Sequence, residues 1–130
     1  MLPIDYQLIC YGCPILDFIY FIFSSTDQKF RRSNLLYLKD LYYDNLRGFL
    51  NQFSLDISSV YPRKDFERDY KSMLDYGLMI SLLLIPLLMT CDSNVDVTRE
   101  PLAGLSFGVD DECQERLVGI VQDFIEWGYL

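Results

Sequence analysis

Six apolar side chains spaced three or four residues apart predict one long amphipathic helix in the first half of the chain. They are Leu35, Leu38, Tyr42, Leu46, Phe49 and Phe53. Such a stripe covers only one side of a helix, so the helix must pack against other elements to remove the stripe from water. Ser33 or Asn34 is a suitable N-cap for this helix. The stripe therefore favours a helical bundle.

Three further helices are predicted from apolar spacing and from helix-terminal residues. We expect them at about residues 15–24, from Pro62 through an apolar run to residue 89, and from residue 109 or 110 to residue 127. Pro86 should kink or end the second of these, because proline cannot donate a backbone hydrogen bond. Gly128 suits the position just after the last helix. Residues 90–108, rich in turn formers, are expected to form a long surface loop.

The first residues show a different pattern, which predicts a short β-strand. Ile4, Tyr6 and Leu8 alternate with Asp5 and Gln7, and a period of two is typical of a strand. A lone strand leaves its backbone groups without partners. It must therefore form coil or pair with chain outside this sequence. The predicted fold class is mainly α, with a short orphan β-strand at the N-terminus.

Charge and composition argue against several classes of function. The chain has 19 acidic and 11 basic residues, a formal charge of −8, and no dense basic stripe, so we expect no nucleic-acid partner. It contains no histidine, so any acid–base or metal chemistry must use carboxylates, hydroxyls or thiols. The apolar runs at 15–23 and 76–89 are shorter than the roughly 20 residues of a membrane span. We expect core helices there and no membrane span.

The four cysteines allow several interpretations. Cys10, Cys13, Cys91 and Cys113 could form two disulfides or a zinc site, and the first two could form a redox C-x-x-C pair. No signal-peptide pattern opens the sequence, and only the first pair has the spacing of metal ligands. Ordinary reduced thiols in a cytoplasmic protein are therefore the expected state.

The opening segments resemble a known family. Residues 4–7 read IDYQ, residues 11–21 read YGCPILDFIYF, and residues 24–26 read SST. This order resembles the C-terminal lobe of the ecdysteroid kinase-like (CHK kinase-like) family, which is related to choline/ethanolamine kinases and aminoglycoside phosphotransferases. Weaker similarities at 61–66, 77–89 and 115–130 extend the resemblance over most of the sequence. Residues 1–130 are thus interpreted as a partial domain, the helical C-terminal subdomain of a protein kinase-like fold.

The resemblance also implies a function and specific residues. It implies an ATP-dependent kinase that phosphorylates a hydroxyl group of a small-molecule alcohol, for which the family suggests an ecdysteroid-like sterol. Asp5 matches the aspartate that binds Mg²⁺, the ion that neutralises the ATP phosphates. Asp17 matches an acid that anchors the catalytic loop. Tyr42 and Tyr43 are candidates for the substrate pocket.

The residues themselves also permit simpler roles. Asp5 could be a surface residue at a strand end, and Asp17 an acid favoured by the helix dipole. Aromatic residues such as Tyr42 and Tyr43 commonly belong to a core. The family's H-G-D catalytic segment and nucleotide lobe are absent from this sequence. We therefore expect the chain alone to be inactive and to bind Mg²⁺ and ATP weakly at most; the alternative is a non-catalytic helical interaction module.

Overall fold

The computed structural model describes residues 11–89 and 109–130, and 80% of these residues are helical with no strand among them. This confirms the mainly α prediction. The predicted strand at residues 4–8 and the predicted loop at 90–108 lie outside the described residues. The helices are α1 (Ile15–Ser25), α2 (Gln28–Asn51), α3 (Ile57–Val60), α4 (Arg63–Ser72), α5 (Leu74–Met89) and α6 (Asp111–Glu126).

The core is centred on the contact between α1 and α5. Ile19 and Phe23 of α1 are fully buried against α5 at Gly77. A Cβ atom at Gly77 would lie 2.7 Å from Phe23 Cδ2 and 2.9 Å from Ile19 Cγ2. The missing side chain therefore allows these two helices to approach closely. On its other side the Phe23 ring lies 5.2 Å from that of Phe124, which brings α6 into the same core.

Helix α2 starts earlier than predicted. Asp27 is the N-cap, and its carboxylate accepts a hydrogen bond from the backbone N–H of Phe30 at 2.7 Å. The prediction of Ser33 or Asn34 as the cap was wrong, because the polar residues that precede the apolar stripe form another turn of helix. That additional turn places Arg31 inside α2.

The apolar stripe of α2 is only partly buried. Its first four members are half-buried against the core, whereas Phe49 and Phe53 are 56% and 61% exposed. The buried residues of α2 are instead Arg31, Lys39 and Tyr43. The most enclosed side of this helix thus includes two cations, which hydrophobic spacing does not detect.

The predicted helix over residues 62–89 is two helices. It breaks at Met73, and α4 and α5 are bent by 46° relative to each other. The bend lets Phe66 and Tyr70 of α4 pack towards the core while the apolar helix α5 lies along α1. Pro86 lies inside α5, so it does not end that helix. Among the described residues no single helix is long and apolar enough to cross a membrane; α4 and α5 meet that test only as a bent pair.

The last helix agrees closely with its prediction. Asp110 caps α6 by accepting a hydrogen bond from the Cys113 N–H at 2.8 Å, and Trp127 is the C-cap. Gly128 follows with φ of +76°, the left-handed conformation that favours glycine. The buried face of α6 also contains Asp123, which the apolar pattern did not reveal.

Candidate functional site

The structure brings two of the predicted site residues into one neighbourhood. Asp17 is exposed in the first turn of α1, and Tyr42 of α2 donates a hydrogen bond to the carbonyl oxygen of Pro14 at 2.6 Å. Burial raises the pKa of Tyr42, and the charges of Asp17 and Cys13 raise it further. The Tyr42 phenol therefore stays protonated and joins α2 to the start of α1. Asp5 lies outside the described residues.

An apolar groove of about 270 Å³ lies between α1 and α2 beside Tyr42. Its other walls include Phe18, Phe21, Leu38 and Leu41. The volume is slightly below the roughly 300–1,000 Å³ of typical ligand pockets. The groove can therefore hold part of an apolar ligand.

Tyr43 occupies a different environment from Tyr42. It is buried, its hydroxyl donates to the carbonyl oxygen of Tyr61 at 3.0 Å, and its ring meets Phe66 edge-on at 5.3 Å. Phe66 in turn stacks on Tyr42 with ring centroids 6.1 Å apart. Tyr43 thus belongs to the core and supports Tyr42 through Phe66, while Tyr42 itself lines the groove.

The described thiols are free. Cys13 is half-buried with its Sγ 3.8 Å from an oxygen of Asp69, and Cys113 is buried. Cys10 and Cys91 lie outside the described residues. Within residues 11–89 and 109–130, no three cysteine or carboxylate side chains are grouped so that they could hold a metal ion.

A buried ion cluster joins α2 to α6, and sequence analysis missed it. The side chains of Arg31 and Asp123 are 1% and 0% exposed, and Arg31 Nε donates to Asp123 Oδ2 at 2.8 Å. The other oxygen of Asp123 accepts from Arg32 Nε at 3.0 Å and Gln28 Nε2 at 3.1 Å. Arg31 Nη1 donates to the carbonyl oxygen of Thr26 at 2.6 Å. The available signal was an arginine pair near the start of α2 and a carboxylate on the apolar face of α6.

A second charged contact joins α2 to α4. Lys39 Nζ lies 2.5 Å from Glu67 Oε2 and 4.1 Å from the centre of the Tyr70 ring. Arg63 also binds Glu67, at 2.8 Å. Burial alone would raise the pKa of Glu67, but hydrogen bonds and charge from Lys39 and Arg63 outweigh it and hold the pKa below its ordinary value. Glu67 is therefore ionised at neutral pH.

Comparison with known proteins supports the family proposed from the opening motifs. Residues 1–55 match the model of the ecdysteroid kinase-like family. The match supports the predicted family over these residues, which include Asp5, Asp17, Tyr42 and Tyr43. In general terms, the match suggests a kinase-like function. No curated protein and no solved structure matches the chain significantly.

Proposed function

We propose that this chain contributes the C-terminal lobe of an ATP-dependent cytoplasmic phosphotransferase that phosphorylates a hydroxyl group of a small molecule. An ecdysteroid-like sterol is the first acceptor to test. The observation that carries the proposal is the family match over residues 1–55, which contains both predicted carboxylates. The net charge of −8 also disfavours a nucleic-acid substrate.

Asp5 is proposed to bind Mg²⁺, which would neutralise negative charge on the ATP phosphates. Mg²⁺ is commonly held by one or two carboxylates together with waters and the phosphates themselves. We propose that Asp5 is such a carboxylate and that the other ligands of the ion come from water, from the phosphates and from groups outside the described residues. Asp17 is proposed to anchor the catalytic loop, and its exposed position in the first turn of α1 leaves its carboxylate free to accept backbone hydrogen bonds.

The groove beside Tyr42 is proposed as part of the acceptor site. Its walls are almost entirely apolar, which suits the ring system of a sterol. Phe66 holds the Tyr42 ring on one side, with Tyr43 behind it. The groove would thus position an apolar acceptor, while the phosphate chemistry belongs to Asp5 and its partners.

The 130 residues contain no histidine, so they cannot supply the histidine of the family's H-G-D segment. We propose that turnover requires that segment and that the chain alone is inactive. Phosphate transfer from γ-labelled ATP to a panel of sterols and simpler alcohols tests the function. The assay uses the native protein captured with an antibody against this chain. A labelled sterol phosphate is the expected product.

The matched variants are Asp5→Asn and Asp75→Asn, the latter an exposed acid in the first turn of α5. The first should abolish transfer and the second should leave it unchanged. Equal activity of both variants would refute Asp5 as a metal ligand. Absence of any labelled alcohol with the native protein would contradict the phosphotransferase proposal.

A second candidate is a non-catalytic helical interaction module, which is favoured by the exposed apolar face of α5. Met79, Leu82 and Leu83, which share one side of that helix at 100° per residue, are all exposed. Contiguous apolar surface of this kind is typical of a contact with another protein. Crosslinking in cells, compared between the chain and its Leu82→Glu variant, tests this candidate. Identical crosslinks for both would argue against it.

A further inference from the structure

A second pocket, of about 380 Å³, lies on the opposite end of α2 from the exposed phenylalanines Phe49 and Phe53. Its walls come from the first half of α2, from α4 and from the residues that follow α6. The polar side chains that line it include Arg31, Arg32, Lys39 and Tyr70, and Trp127 and Tyr129 add aromatic surface. The volume lies within the range of small-molecule sites.

Two buried polar atoms at this pocket have no hydrogen-bond partner within the described part of the chain. They are Arg31 Nη2 and Tyr70 Oη. Arg31 uses its other two nitrogens on Asp123 and Thr26, and the Tyr70 side chain is 4% exposed. Buried donors are almost always paired in native proteins, because an unpaired one costs free energy. Two unpaired donors on one pocket indicate that an acceptor beyond the described residues completes them.

The charges indicate that this acceptor is anionic. Burial lowers the pKa of Arg31, and the hydrogen bond and charge of Asp123 only partly offset that effect. Asp123 is shared with Arg32, which also binds Glu126, and Glu67 is bound by Lys39 and Arg63; Asp27 acts on Arg31 through its charge. The described residues that line the pocket include three cations, Arg31, Arg32 and Lys39, and no carboxylate, so a negative charge placed in the pocket would be attracted more strongly than it is repelled.

Apart from Ser33, the remaining walls are apolar. Trp127, Leu35 and the exposed side chain of Leu36 face the pocket, and its apolar lining is larger than its polar lining. An inorganic ion would leave this surface in contact with water, whereas an organic ligand would cover it. Arg31 Nη2 and Tyr70 Oη are buried, and small side-chain rotations, which are common on binding, would bring both donors to a ligand oxygen.

We propose that this pocket binds a small organic carboxylate with an apolar or aromatic body, whose oxygens accept hydrogen bonds from Arg31 Nη2 and Tyr70 Oη. Burial raises the pKa of Tyr70, so its phenol keeps its proton and can donate. The site involves neither Asp5 nor the groove at Tyr42. It therefore stands independently of the phosphotransferase proposal.

Trp127 is the only tryptophan in the chain, so its fluorescence reports directly on this pocket. The probe is 3-phenylpropionate, titrated into the 130-residue chain. We expect a saturable change in Trp127 emission. The uncharged 3-phenylpropanamide and 3-phenylpropanol should bind about tenfold or more weakly, because they lose the charge-assisted hydrogen bond. Acetate should bind more weakly than 3-phenylpropionate, because it lacks the apolar body.

The decisive variant is Tyr70→Phe, which removes an unpaired hydroxyl and should leave the unfolding midpoint unchanged or raised. Its affinity for 3-phenylpropionate should fall about three- to tenfold. The matched control is Tyr37→Phe, an exposed tyrosine of α2 outside the pocket, whose affinity should not change. The absence of a saturable signal, equal binding of alcohol or acetate, or full affinity in Tyr70→Phe would each overturn the proposal.

Discussion

Helix α1 packs on α5 through apolar side chains, whereas α2 packs on α6 through a buried ion pair. The α1–α5 contact, which we call the apolar seam, is formed by Ile19, Phe23 and Gly77 without any charged group among these three. The α2–α6 contact, the charged seam, is centred on the buried pair Arg31 and Asp123. An apolar seam tolerates small losses of packing, whereas a charged one fails when either partner is removed.

Asp123→Ala should have the largest effect, because it leaves Arg31 buried without its carboxylate. We expect a loss of about 3–5 kcal/mol in the free energy of unfolding, because an uncompensated buried charge is very costly. Urea denaturation followed by circular dichroism measures it. The control is Glu126→Ala, which removes an exposed carboxylate that binds Arg32 and should matter far less. Similar losses for both variants would contradict the importance of the buried pair.

Gly77→Ala tests the apolar seam. Its added methyl group would overlap Phe23 and Ile19, so we expect a loss of about 1–3 kcal/mol as these side chains shift. Thermal and urea unfolding measure the change. Gly48→Ala is the matched control, since nothing lies within 4 Å of its Cβ position in α2. That variant should gain about 0.5–1 kcal/mol from helix propensity, and a gain at Gly77 would show that the seam is loosely packed.

Asp27→Ala removes the cap that starts α2, one turn before Arg31. We expect a loss of about 1 kcal/mol and weaker protection of the first amides of α2. Hydrogen exchange measures the local effect, and denaturation measures the global one. Asp44→Ala, in an exposed pair with Arg47 on the same helix, serves as the comparison and should leave these amides protected. Unchanged exchange in Asp27→Ala would show that the charged seam alone fixes the start of the helix.

The smallest expected effect is a pH dependence of the free energy of unfolding that arises from Glu67. Because its pKa in the fold lies below the ordinary 4.5, the ionised form stabilises the protein above that pH. This contribution is lost as the pH falls through the folded-state value. Glu67 is 35% exposed, so solvent screening limits the effect to below about 1 kcal/mol. The stability difference between the native chain and Glu67→Gln should shrink from pH 6 to pH 3; a constant difference would exclude this titration.

The apolar helices that form the apolar seam were predictable from sequence, whereas their contact at Gly77 and the whole charged seam were not. The helix over the apolar run at residues 15–23 follows from local spacing. The end of α6 before Gly128 follows from the backbone preference of glycine. Burial of Arg31 depends on Asp123, which is 92 residues away, and neither residue has a local pattern that shows the pairing. Tyr42 and Tyr43 are adjacent in sequence, yet only the first lines the groove. Phe66 packs against both rings, and this tertiary contact, which local spacing does not show, separates the two environments.

The sequence separation of Arg31 and Asp123 has a consequence for folding kinetics. Local contacts within and between α1 and α2 close short loops, whereas the charged seam must close a loop of about 90 residues. We expect the seam to form after the transition state, once α6 has docked. Weakening it would then accelerate unfolding and leave the folding rate nearly unchanged. The pair that sequence patterns did not reveal would thus control how long each molecule remains folded.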